Sequence, residues 1–493
     1  MSSLPGGDYR IIEHPILKFQ RGPRVRFRYG GVEVEGYVGE SVLASLYAIG
    51  YRVFSRSPDG ARPRGAFCMV GRCSSCLSKV DGIPNTRTCV EPVREGMVVE
   101  PQDGIPEAPV GARGEPVRTE ELVTDVLVVG GGPAGLQAAR ALGRAGVGVV
   151  LVTDHSKLGG QLVKQTHKFF GSDEFFAGVR GFRIAEILEG ELRRLPSVRV
   201  FTRAYAYGRF AEGVVGVAVQ GDEPLNLLVR PRFVIVSTGA MERAALFENN
   251  DLPGVMGAGG AQTLMNEYGV RPGDRALVVG SGNVGLIVSY QLLQAGVEVE
   301  AVVEIAREIG GWFVHAAKLR RHGVPILTSH TIVGAEGAER VERAVISRVD
   351  ESMQPIPGTE RALDVDLVLL ATGLQPNYQL LAQMGAAMKY VPELGGLAPV
   401  RTWNMETSVP NVFVAGDASG VEEATAAFIE GEIAACTILE RMGFAEAAKR
   451  REELLEFLWK EYRESPPLRR AREGKLKVTV SEEEMEAIRR GSR

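Results

Sequence analysis

Between Arg24 and Tyr29 the chain alternates charged and apolar side chains, R-V-R-F-R-Y, and Val32–Tyr37 continues the alternation as V-E-V-E-G-Y. A period of two belongs to a strand with one buried face, so the pattern predicts two strands turned back at Gly30–Gly31. Ser41 stands directly before the apolar run Val42–Ile49, in the place of a helix N-cap. Runs at Leu77–Val80 and Met97–Glu100, with a turn at Asp81–Gly82, predict further strands. A stretch rich in Pro, Gly and Glu over 106–122 reads as a linker. Beyond it the pattern changes. Continuous apolar runs appear at Asp125–Val129, Val147–Val152, Ala276–Val279 and Val297–Val303, the signature of strands buried on both faces. Each pair brackets a helix, one ending at Ala145 and the other at Ala295, so this part reads as α/β. Near the end, Leu454, Leu455, Phe457, Leu458 and Tyr462 form a helical stripe that Pro466–Pro467 terminates. It predicts a helix packed on its own body, with docking on another subunit as the alternative.

Composition narrows the class. A chain of 493 residues carries about three domains. Hydrophobic residues make up 45% and charged residues 24%, as in a globular domain. The net charge of −4 offers nucleic acid no basic field. No apolar stretch reaches the ~18 residues a membrane span needs, and Met1–Arg10 has no signal-peptide pattern. The expectation is therefore a cytoplasmic protein, reaching a membrane only through partners.

Chemistry enters with the cysteines. Cys68, Cys73, Cys76 and Cys89 read C-x4-C-x2-C-x12-C, the plant-type ligand spacing of a 2Fe–2S cluster. Structural zinc also uses four thiolates, but more often as two CxxC pairs, and only one occurs here. A disulfide framework does not suit a large chain whose cysteines crowd into one segment. The fifth, Cys436, lies in an Ala-rich helical stretch and reads as packing. Two glycine loops follow the buried strands: Gly130-Gly131-Gly132-Pro133-Ala134-Gly135 and Gly280-Ser281-Gly282-Asn283-Val284-Gly285. Each is G-x-G-x-x-G between a strand and a helix, the context in which the motif binds a dinucleotide pyrophosphate. Counting 24 residues from the first glycine places Asp154 opposite Glu304. A carboxylate there can accept from an adenosine ribose and repels a 2′-phosphate; a solvated loop acid is the alternative. Apolar strands end in Thr238-Gly239 and in Thr372-Gly373, at the expected crossings between two nucleotide domains. The strand Asn411–Val414 delivers Ala415-Gly416-Asp417 to a helix start, where an acid can accept from a ribityl hydroxyl or act as a simple N-cap.

Taken together these residues resemble a known group. The body is similar to the two-dinucleotide-domain flavoproteins related to thioredoxin and glutathione reductases. It more closely resembles the α subunits of heterotetrameric sarcosine oxidase and dye-linked L-proline dehydrogenase and the flavoprotein subunit of hydrogen cyanide synthase. The resemblance rests on Gly130–Gly135, Leu158-Gly159-Gly160-Gln161-Leu162, Gly280–Gly285, Val314-His315-Ala316-Ala317-Lys318, Ala371-Thr372-Gly373, Ala415-Gly416-Asp417 and Glu422-Glu423-Ala424. It implies FAD at Gly130, Gly132, Pro133, Ala134, Gly135, Asp154, Gly160, Gln161, Thr238, Gly239, Gly416, Asp417, Ala424 and Thr425. It implies NAD or ATP at Gly280, Gly282, Gly285 and Glu304; Asn283, Val284, Thr372 and Gly373 are further cofactor-binding candidates. The implied fold is α/β, two Rossmann-like domains preceded by a β-grasp ferredoxin-like domain. The boundaries follow as 1–105 for the 2Fe–2S domain, 123–250 and 371–440 for the FAD domain, 251–370 for the second nucleotide domain and 441–493 for a helical extension.

Two departures shape the functional expectation. The body has no CxxC, so it cannot run a dithiol relay. It also has no third nucleotide unit of the amino-acid-oxidase kind, which in the family sits on a β subunit. The chain is therefore expected to be the electron-transfer subunit of an amino- or imino-acid dehydrogenase acting on a proline- or sarcosine-like substrate. Electrons would arrive from an amino-acid-oxidase-like β subunit and leave through FAD and 2Fe–2S to a quinone, dye or carrier protein. Alternatives are a self-sufficient NADH:acceptor oxidoreductase and a purely structural ATP in the second site. His167, Lys168, His315 and Lys318 carry no assignable catalytic role.

Overall fold

The alternating segments pair as their pattern predicts. In the computed structural model, which describes residues 7–107, 117–169, 172–221 and 223–491, Arg24–Tyr29 and Val32–Tyr37 run antiparallel around Gly30 and Gly31. Val25, Phe27 and Tyr29 point inward and the arginines outward. The helix Val42–Ala48 is buried along its whole length, and the Ser41 side chain caps it by accepting from the Ala44 N–H at 3.1 Å. Strands Val98–Pro101, Leu77–Val80 and Ile83–Arg87 complete a five-stranded sheet. The last of these has alternating half-buried positions too weak to read in advance.

The chain divides into two compact units, Met1–Arg113 with Glu242–Gly373 and Gly114–Met241 with Leu374–Arg493. The first joins the cysteine-bearing domain to the second glycine-loop domain, a grouping that the linear boundaries do not give. One apolar core runs through both, from Val42 and Leu46 to Leu264, Val278 and Leu292. Tyr47 donates its hydroxyl to Pro272 O at 2.6 Å, and the Ile11 N–H donates to Gly269 O at 2.7 Å. The nucleotide part is a parallel sheet ordered Val255–Gly257, Leu367–Leu370, Arg275–Val279, Glu298–Glu304 and Ile326–Thr328.

In the second unit the central pair is Arg118–Val129 beside Leu225–Val236, parallel over their length. Val149–Val152 and Val198–Phe201 extend the sheet on one side, and Val412–Val414 pairs with the end of Leu225–Val236. This corrects the expected linker over 106–122. Residues 108–116 of it lie outside the described residues, and Arg118–Leu122 is strand, because its backbone pairs with Leu225–Val229. The C-terminal extension is also more than helical: Thr479–Val480 adds a short parallel strand to Arg401–Thr402. The stripe packs on the body of its own unit, with Leu454 and Leu458 in the core beside Phe428 and Ile438 and with Leu455, Phe457 and Tyr462 partly buried against it.

Candidate functional site

The first site is the cysteine loop. Its backbone folds back on itself through positive φ at Met69, Gly71 and Ser74. That brings the four thiols into contact: Cys68 meets Cys73 and Cys89, and Cys76 meets Cys89. Cys68, Cys76 and Cys89 are buried, and Cys73 is partly exposed. Two loop amides point at sulfur, Gly71 N–H to Cys89 Sγ and Arg72 N–H to Cys68 Sγ, each at 3.3 Å. The thiols of Cys73 and Cys89, joined by the Val70 and Arg72 amides, hold the Cys68 thiol well below its ordinary range. Such amides would stabilise the negative charge of a bound cluster. Among the described residues no group of three or more His, Cys, Asp or Glu side chains is placed as the ligands of a metal ion would be, although the four thiols form one contiguous chain of contacts, Cys73–Cys68–Cys89–Cys76. Cys436 stands apart, buried in the helix Ala424–Arg441, and burial pushes its thiol up to about 12.

The loop is seated on the nucleotide domain of the same unit. Phe67 O accepts from Gly257 N–H at 3.2 Å, just ahead of the helix Ala258–Asn266. A Cβ on Gly260, in that helix's first turn, would lie 2.2 Å from Phe67 O, so only glycine permits the approach. The first-turn amides of Gly259 and Gly260 donate to the Glu242 carboxylate, and Arg62 and Arg64 both pair with Asp251. Glu242, Asp251 and Gly260 carry no local signal that sequence reasoning could have used.

The second glycine loop has the geometry of its motif. A Cβ on Gly285 would sit 2.0 Å from Gly280 O, whereas Gly282 has open space before it, as a phosphate approach requires. Asn283 Oδ1 accepts from Trp312 N–H at 2.8 Å, and Val284 is partly exposed beside it. Glu304 closes its strand with the carboxylate on the loop, accepting from Ser281 N–H at 2.8 Å and Ser281 Oγ–H at 2.7 Å. Thr372 Oγ1 donates to Arg243 O, and Gly373 O accepts from Arg243 N–H, fixing the strand end. His315 lies buried on the helix Phe313–Arg321; burial and the neighbouring Lys318 charge push it down to about 4.

The first glycine loop, in the other unit, repeats the plan. Gly130 and Gly135 abut Ser237 O and Gly130 O, and Gly132 faces open space. Pro133 takes the first helical position, and Ala134 lies against Gly416, whose Cβ would come within 3.0 Å of it. Gly160 backs onto the loop, its Cβ position 2.9 Å from Gly132 Cα, while Gln161 is exposed. Thr238 and Gly239 are held by a residue that was not anticipated: Asn377 Nδ2 donates to Thr238 O, and Thr238 Oγ1 donates to Asn377 O. Asp417 accepts from Glu422 N–H at 3.1 Å, and burial pushes its carboxyl up to about 6. Ala424 and the buried Thr425 open the helix that follows.

Asp154 and Glu304 do not occupy equivalent positions. Gly130 N–H donates to Val152 O and Gly280 N–H to Val303 O, so the residue equivalent to Glu304 is Thr153, with Asp154 one further along. The cause is a bulge in the second domain, where the pairing skips Glu300. Equal counting from the first glycine hides it.

Comparison with known proteins adds the relatives. The profile of the family described as pyridine nucleotide-disulphide oxidoreductase matches residues 124–431. That of a 2Fe-2S iron-sulfur cluster binding domain matches residues 22–104. Sarcosine oxidase subunit alpha of Rhizobium meliloti (strain 1021) is 25% identical across 88% of this chain and 47% of its own length. The chain thus spans about half the length of that relative. Hydrogen cyanide synthase subunit HcnB of Pseudomonas aeruginosa is 29% identical across 66% of this chain and 74% of its own. The crystal structure of L-proline dehydrogenase from P. horikoshii superposes with a TM-score of 0.65 at 25% identity, covering 90% of this chain and 79% of that one.

Proposed function

Since the chain belongs to the pyridine nucleotide-disulphide oxidoreductase family, we propose that it is the FAD- and 2Fe–2S-carrying electron-transfer subunit of an amino- or imino-acid dehydrogenase. The observation that carries the reading is the joint presence of a four-thiol loop with amides aimed at sulfur and a glycine loop on which Gly416, the residue before Asp417, is packed. When bound, FAD supplies two-electron chemistry and the 2Fe–2S cluster single-electron chemistry. The protein's part is to hold them. Cys68, Cys73, Cys76 and Cys89 are the thiolate ligands. Gly132 and the amides opening the helix Pro133–Arg144 take the FAD pyrophosphate. Asp417 accepts from a ribityl hydroxyl, and Thr238, Gly239 and Gly160 shape the cradle.

Substrate oxidation is assigned to a separate amino-acid-oxidase-like subunit. In this reading both G-x-G-x-x-G loops that join a strand to a helix are taken up by FAD and by the second nucleotide. The relatives named as subunits of sarcosine oxidase and hydrogen cyanide synthase support a multi-subunit assembly. The second loop takes an adenine nucleotide with a free 2′-hydroxyl, NAD or ATP, with Glu304 as the ribose acceptor. Electrons leave to a quinone, dye or carrier protein. No helix among the described residues is long and apolar enough to cross a membrane. The test is dye-linked turnover of L-proline and sarcosine by the purified chain. None is expected without a partner subunit, and steady turnover by the chain alone would overturn the assignment.

A further inference from the structure

The C-terminal extension is rich in arginine and glutamate, a composition that usually marks a solvated face. Three of its residues do something else. Arg463 and Lys475 are fully buried, and Tyr462 is largely so. All three reach the loop between Gly416 and Glu423, which presents Asp417.

The contacts form one network centred on Glu430, a buried carboxylate in the helix Ala424–Arg441. One oxygen, Oε2, accepts from the Gly416 N–H at 3.0 Å and from Ser419 Oγ–H at 2.6 Å. The other, Oε1, accepts from Lys475 Nζ at 2.9 Å, Arg463 Nη2 at 2.7 Å and Arg401 Nη2 at 3.4 Å. Lys475 Nζ also donates to Ser419 Oγ at 2.7 Å. Arg463 clasps Glu422 through Nη2 at 2.5 Å and Nε at 2.9 Å. Glu422 is the residue whose N–H donates to Asp417 Oδ1. Tyr462 donates its hydroxyl to Glu423 at 3.1 Å, directly before the helix. Packing follows the same route: Gly474 and Gly420 both lie close against Leu394.

The charges are matched by the site itself. Arg401, Arg463 and Lys475 face Glu422 and Glu430, three cations to two carboxylates, and Asp417 supplies the third. Although burial alone would raise it, Lys475, Arg401 and Arg463 hold the Glu430 carboxyl well below the carboxylate range. A network so buried is costly to open on one side, because it leaves an unpaired charge in low dielectric.

We propose that residues Tyr462–Lys475 clamp the flavin loop, with Lys475 and Arg463 as positioning residues that hold Gly416–Glu423 in its FAD-binding geometry. The inference rests on the FAD reading of the first glycine loop and extends it to a segment outside the nucleotide fold. Without the clamp the Gly416 amide and the Asp417 carboxylate lose their fixed direction, although neither touches Lys475 itself.

The test is equilibrium titration of the full-length, deflavinated chain with FAD, comparing wild type, Lys475→Met and Tyr462→Phe. Visible circular dichroism of the bound flavin and cluster absorbance are recorded alongside. Lys475→Met is expected to raise the FAD Kd at least tenfold and alter the flavin dichroism, with cluster content unchanged. Tyr462→Phe, which removes one rim hydroxyl and keeps the packing, is expected to raise the Kd two- to fivefold. It decides the matter if Lys475→Met does not fold. Wild-type Kd and dichroism in the folded variants, even with a lowered Tm, would overturn the clamp. A wild-type chain with no affinity for FAD would overturn the flavin reading beneath it, a different result.

Discussion

Replacing Gly260 by alanine tests whether the cysteine loop is seated on the nucleotide domain as described. Two effects oppose each other. Alanine in place of glycine within a helix normally gains about 1 kcal/mol. Here the new methyl would stand 2.2 Å from Phe67 O and 3.2 Å from Cys68 C, both backbone atoms that no rotamer change can clear. To reach ordinary contact the loop must retreat by about 1 Å, as overpacked sites do at a cost of roughly 1–3 kcal/mol. The retreat strains the bond from Gly257 N–H to Phe67 O, which is 3.2 Å long already, and losing it costs about 1 kcal/mol more. The sum is a net destabilisation of about 1–3 kcal/mol, or roughly 2–12 °C in Tm for a unit of this size. Because Cys68 follows Phe67, cluster content should fall as well. Gly190→Ala is the control: it lies in the helix Gly181–Leu192 with nothing within 4 Å of its Cβ position, so it should show the helix gain alone. Calorimetry and visible absorbance per chain, on protein purified without oxygen, give both readouts. A Gly260→Ala chain that melts higher than wild type with a full cluster would refute the seating.

Further expectations follow from the same geometry. Cys73→Ser should remove the cluster absorbance, while Cys436→Ser should leave it intact; in the wild-type chain the Cys436 thiol, on a buried helix and pushed up to about 12, should resist alkylation in the native state. Gly135→Ala and Gly285→Ala place a methyl 1.9 Å and 2.0 Å from the first carbonyl of their own loops. Each should cost at least tenfold in nucleotide binding at its own site and leave the other site unchanged, as two separate titrations with FAD and ATP would show. His315 is held near 4, below its ordinary 6.5, by burial and Lys318. Between these values the unfolded chain binds a proton that the native one refuses. The contribution is therefore complete above about pH 6.5 and is lost as pH falls toward 4. His315→Gln should flatten the fall of the urea midpoint over that range; an unchanged slope would count against a neutral buried imidazole. Asp417, raised to about 6, acts with the opposite sign, which is why the comparison uses the variant.

What the chain spells out locally proved readable, and what depends on distant partners did not. Alternation at Arg24–Tyr29 gave the strand, its inward face and its turn. The last glycine of each loop reported its backbone approach because the clash that forbids a side chain lies five residues back, at the carbonyl of the first glycine. Arg118–Leu122 misled, since a charged strand edge looks like linker until Leu225–Val229 is known to lie beside it. The Glu300 bulge hid the offset between Asp154 and Glu304, because counting residues cannot see a skipped pairing. Nothing local in the sequence marks Arg463 and Lys475; their burial depends on Glu422 and Glu430, more than thirty residues away. Joining the cysteine domain to the second nucleotide domain needed Asp251, Gly260 and Pro272, ordinary residues whose role exists only in contact.

The central claim is that this chain carries electrons that another subunit extracts. Its most direct test is anaerobic: stoichiometric NADH is added to the purified chain, and FAD absorbance is followed together with the low-temperature EPR signal of a reduced 2Fe–2S cluster. The account predicts no prompt bleaching with NADH and a full cluster signal after dithionite. Prompt bleaching with a cluster signal would make the chain a self-sufficient NADH-linked reductase and contradict it.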